Sequence, residues 1–106
     1  MSTGYVIRPK ADQDLEEQAY YYAIEANREL GHRFLVAAHE AFGMLAEQPE
    51  IGWHPRFRIP KLKDARVFRV SGFEKMLVVY KPHSSGVEIL RVIHGSRMIQ
   101  KHLKEE

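Results

Sequence analysis

Apolar residues recur with helical spacing in the first half of the chain and cluster in short β-type runs in the second. Leu15, Ala19, Tyr22 and Ala26 mark one face of a first helix, expected over about Lys10 to Glu29. Pro9 suits its first turn, where a missing N–H costs nothing, and Asp12, Asp14, Glu16 and Glu17 favour the positive end of its dipole. The run Tyr20-Tyr21-Tyr22 wraps around more than one face, so at least one of these rings is expected to stay partly exposed. Gly31 reads as a break. A second helix follows over about His32 to Glu47, with Phe34, Leu35, Ala37, Ala38, Ala41, Phe42 and Leu45 as its apolar set, and it stops ahead of Pro49.

Tyr5 to Arg8 reads as a short strand ahead of these helices. Three more are expected after the irregular segment Gln48 to Asp64: Arg66 to Val70, about Lys75 to Lys81, and Val87 to His94. Ser71-Gly72 and His83-Ser84-Ser85-Gly86 are the turns between them. Met76-Leu77-Val78-Val79 is apolar on both faces, as a central strand covered on both sides would be. Pro82 should end that strand or lie at its edge. The order β-α-α-β-β-β gives an α+β fold: an antiparallel sheet with an N-terminal helix hairpin packed on one face and the first strand at the sheet edge. Met98 to Leu103 has too few apolar residues to stand as a helix alone.

Composition narrows the setting. The 106 residues form a single domain, 1–106, in this reading. No apolar run approaches the ~20 residues of a membrane span, and Met1 to Lys10 lacks a signal-peptide pattern. A cytoplasmic location is expected. The absence of cysteine excludes disulfides and thiolate metal sites. The six histidines are scattered, no glycine-rich phosphate loop is present, and neither metal nor cofactor is implied.

Charge adds more. Residues 1–53 carry four basic and nine acidic side chains, whereas residues 54–106 carry twelve basic and five acidic ones. The second half is thereby suited to a partner of negative potential. The sheet face away from the helices, with its arginine-rich strands, is the candidate working surface.

The run RVFRV–SG–LVVYKP–GVEILRVIHGSR, between Arg66 and Arg97, resembles the C-terminal half of the RelE/ParE toxin superfamily. The resemblance extends back through both helices. It implies the toxin of a type II toxin–antitoxin pair, bound and neutralised by a cognate antitoxin whose C-terminal segment wraps it. Two activities occur on this scaffold. RelE-like members cleave messenger RNA on the ribosome, which takes a base for the 2′-hydroxyl, cations for the transition state and an acid for the leaving oxygen.

On that reading Arg97 occupies the place of a phosphate-stabilising arginine, with Arg69 and His102 completing the candidate set. The first meander strand has no lysine to act as base, and arginine stays protonated. The resemblance therefore favours the ParE-like branch, whose members inhibit DNA gyrase. Arg66, Arg69, Arg91, Arg97 and Trp53 are then the expected target-binding residues. His94 reads as structural or interfacial, and Tyr80 and Arg91 as cross-strand partners. An inactive homologue that still binds its antitoxin is the remaining class.

Overall fold

The computed structural model describes residues 4–55, 57 and 59–95. The elements are β1 (Gly4–Ile7), α1 (Pro9–Glu25), α2 (Arg28–Glu47), a 3-10 turn at Pro60–Leu62, β2 (Arg66–Val70), β3 (Phe73–His83) and β4 (Gly86–His94). The expected order holds. β2, β3 and β4 form an antiparallel meander, and the sheet runs β1-β4-β3-β2. β1 takes the edge as expected, but it runs parallel to β4, so the four-stranded sheet is mixed. The Arg8–Glu88 ion pair, 2.6 Å, ties the end of β1 to β4.

The helix boundary falls four residues earlier than the sequence pattern placed it. Asn27, extended in backbone, accepts a hydrogen bond from the Leu30 N–H at 2.8 Å and so caps α2. Gly31 consequently lies inside α2 rather than between helices. Its value there is proximity: a Cβ at this position would sit 2.6 Å from the Ala19 carbonyl oxygen, so glycine is what lets the two helices approach this closely. The turn after β2 fits the expectation, with Gly72 at φ +83°.

β3 is covered on both faces. On one side Met76, Val78 and Tyr80 pack with Leu15, Phe34, Phe42 and Leu45 of the hairpin. Tyr22, Phe34 and Phe73 add edge-on and tilted ring contacts at 5.3–5.4 Å between centroids. On the other side Leu77 and Val79 join Val67 and Ile93 in a second cluster, closed over by Leu62 and Ala65 with Phe57 and Ile59. The segment after α2 is thus a strap across the far face of the sheet. This corrects the expectation that the sheet face away from the helices, with its arginine-rich strands, is the working surface: its centre is apolar and buried. β3 also runs through Pro82, which pairs with Val87. β2 ends opposite Tyr80, so Pro82 has a strand neighbour on one side only, where a missing N–H is tolerated.

Candidate partner-binding surfaces

Two surfaces stand out among the described residues. The first lies where the 48–53 loop meets β2. Tyr80 is fully buried. Its hydroxyl donates to the Pro49 carbonyl at 2.8 Å and accepts from the Gly52 N–H at 2.9 Å. Burial pushes the Tyr80 phenol above its ordinary value of 10.0, and the Gly52 hydrogen bond opposes this only in part. Gly52 has no space for a side chain, because a Cβ there would lie 2.5 Å from the Tyr80 oxygen. Arg66 donates to the Gly52 carbonyl at 2.8 Å and the Glu50 carbonyl at 3.3 Å.

So braced, the chain brings Trp53 alongside β2. Trp53 N–H donates to the Val67 carbonyl at 3.0 Å and Val67 N–H returns the bond at 2.9 Å, adding one rung outside the edge strand. The Trp53 side chain remains 42% exposed, and the exposed Arg69 guanidinium sits 5.0 Å from the ring centroid. A half-exposed indole with a guanidinium stacked on it is the side-chain chemistry over-represented in binding hot spots.

The second surface is a groove of about 870 Å³ between α1 and the β3–β4 end of the sheet. Tyr21 and Tyr22 of α1 and Phe73 of β3 line it, with Tyr22 and Phe73 in ring contact, Glu17 and Glu74 stand among its lining residues, and Val92, Ile93 and His94 contribute from β4. Tyr21 is 55% exposed, and Tyr20 and Ile24 extend the apolar area along α1 at 69% and 63%. Tyr22 is half-buried, and burial raises its phenol pKa, partly offset by a hydrogen bond with Gln18. Of the three consecutive tyrosines, of which at least one was expected to stay partly exposed, Tyr20 and Tyr21 are exposed and Tyr22 is half-buried.

The predicted site residues separate. Arg69 and Trp53 come together. Arg66 adjoins them but bonds loop carbonyls, so its first task is to hold the loop. Arg91 does not belong to a working surface: it is 3% exposed and grips Asp14 of α1 through Nε at 2.7 Å and Nη2 at 3.0 Å, while Asp14 also accepts from the Val92 N–H at 3.0 Å. Nor are Tyr80 and Arg91 opposite one another, since Tyr80 pairs with Arg66 and Ile89, and Arg91 with Val79. Arg97 and His102, with the whole of Met98 to Leu103, lie outside the described residues. The clamp made by Tyr80 and Gly52, and the groove residues Phe73 and Glu74, gave no sequence signal of their own, because each acts through a contact distant in the chain.

The family model described as "ParE toxin of type II toxin-antitoxin system, parDE" matches residues 5–99. The chain belongs to the ParE toxin family. Its fold is similar to that of a solved chain of the chromosomal ParDE TA system from P. aeruginosa, with a TM-score of 0.71 at 14% identity, over 87% of this chain and 95% of that one. No curated protein sequence matches. The protein is a ParE-like toxin component of a type II toxin–antitoxin system, and the family implies an antitoxin partner. Among the described residues no helix is long and apolar enough to cross a membrane.

Proposed function

We propose that this toxin acts in the cytoplasm by inhibiting DNA gyrase, with Trp53 and Arg69 as the principal target contacts, Arg66 as their brace and Arg97 as a further contact on sequence grounds. The observation that carries this reading is the Trp53–Arg69 stack, exposed yet held at the sheet edge by the Tyr80 and Arg66 hydrogen bonds. A contact pair that is already ordered loses little conformational freedom on binding.

The antitoxin, on the same reading, seats an amphipathic segment in the groove between α1 and β3–β4. Its apolar side chains meet Tyr21, Tyr22 and Phe73, and a basic side chain meets Glu17 and Glu74. Pulse-labelling after induction of the toxin alone in a bacterial host tests the target. DNA synthesis should fail before protein synthesis, with a DNA-damage response. Failure of protein synthesis first would instead support messenger RNA cleavage on the ribosome.

A further inference from the structure

The strap over the far face of the sheet carries a charge pattern of its own. Residues 54–69 read HPRFRIPKLKDARVFR, with six Lys or Arg and a single acid, Asp64. From Arg56 to Lys63 basic and apolar residues alternate, broken only by Pro60. Among the described residues of this run, the apolar and basic side chains have different surroundings. Phe57, Ile59, Leu62 and Ala65 pack into the second core cluster, while Lys61 and Lys63 are exposed. Lys81 of β3 reaches the same place, its Nζ 3.5 Å from the Lys61 carbonyl, and the exposed Arg69 continues the ridge at β2. The helix hairpin on the opposite face is the reverse, with three basic and eight acidic residues over 9–47.

The described apolar side chains of the strap are spent on the core cluster, whereas a surface-bound membrane element needs an apolar face to press into the bilayer. The strap's exposed cations Lys61 and Lys63, with Arg69 and Lys81 beside them, suit a phosphodiester backbone. The single neighbouring indole already carries Arg69, whereas single-strand binding relies on several free aromatic platforms. No Asn or Gln, the side chains suited to reading adenine edges, lies between 54 and 69.

We propose that the basic strap, with Lys61, Lys63, Arg69 and Lys81 at its centre, binds the backbone of duplex DNA without sequence preference. This holds whichever protein is the toxin's target, and its test contains no gyrase. The full-length toxin, free of antitoxin, is titrated into a labelled mixed-sequence duplex and followed by fluorescence anisotropy over a salt series. Neutralising three to five phosphates should give a slope of about −2.7 to −4.5 in log K against log salt. Lys61→Glu with Lys63→Glu should weaken binding about ten-fold or more at low salt and flatten the slope by about two.

The control pair Lys10→Glu with Arg33→Glu makes the same change in net charge on exposed hairpin positions and should stay within about two-fold of the parent. Circular dichroism checks that both variants are folded. Equal loss in the two variants would overturn the proposal, since only net charge would then matter. So would absence of duplex binding at low salt, or tighter strap-dependent binding to single-stranded RNA, polyglutamate or phosphatidylserine vesicles than to the duplex.

Discussion

Asp14→Ala is the substitution for which the structure gives the clearest magnitude. Asp14 holds Arg91 through two hydrogen bonds and accepts a third from the Val92 backbone, which joins α1 to β4 at the groove. The pair is well shielded, with side-chain exposures of 11% for Asp14 and 3% for Arg91. Removing one partner of a buried ion pair costs about 3–5 kcal/mol, and here the shielded Arg91 guanidinium and the Val92 N–H would both lose the Asp14 carboxylate. A domain of this size has only about 5–15 kcal/mol in total. At about 4 °C or more per kcal/mol, the melting temperature should fall by at least about 12 °C.

Replacing both residues should recover most of the loss. Asp14→Ala combined with Arg91→Met removes the buried guanidinium together with the carboxylate, and apolar replacements of buried pairs are often near neutral. Urea denaturation of the parent, both single variants and the double variant closes a thermodynamic cycle, in which a coupling of about 2 kcal/mol or more is expected. A loss below about 1 kcal/mol for Asp14→Ala, of the size seen for exposed pairs, or strict additivity in the cycle, would refute the view that this ion pair fastens the helix hairpin to the sheet.

Other outcomes follow from the same contacts. Gly31→Ala should destabilise by about 1–3 kcal/mol through overpacking against the Ala19 carbonyl, less the helix-propensity gain of about 1 kcal/mol, and a raised melting temperature would contradict the close-approach argument. Tyr80→Phe should cost about 1–3 kcal/mol in denaturant titration, because the Gly52 N–H and Pro49 carbonyl lose their partner. The folded-state pKa of Tyr80 is raised, so its contribution is intact below about pH 10, where the unfolded phenol ionises, and is lost as pH rises through the folded value. Melting curves of the parent should therefore fall at alkaline pH more steeply than those of Tyr80→Phe. Glu17→Lys with Glu74→Lys should weaken antitoxin binding about ten-fold or more by calorimetry, as like charges meet at the groove, and unchanged affinity would move the antitoxin elsewhere.

The fold was legible because its signals are local. Periods of 3.6 and 2, Pro9, Pro49 and Gly72 each act within a few residues, and together they set the element order. The one-element errors have the same root. Gly31 looked like a break because glycine usually is one, but here its role is set by Ala19, twelve positions back and reached only by packing. Asn27, the actual cap, carried an ordinary capping signal that the longer apolar pattern of α1 obscured. For the surfaces, residue type did not reveal burial. Arg66, Arg69 and Arg91 look alike in sequence, yet one braces a loop, one stacks on an exposed indole and one is buried against a helix. Only the strand register and the position of Asp14 separate them. The strap showed its apolar residues in the sequence but not which face they would cover.

Gyrase inhibition is tested most directly by supercoiling of relaxed plasmid with purified gyrase. The full-length toxin should block supercoiling and accumulate cleaved plasmid, and Trp53→Ala with Arg69→Ala should lose both effects while retaining the fold and antitoxin binding. Normal supercoiling at toxin in large excess over gyrase, with a toxin that still arrests growth, would contradict the account and place its target elsewhere.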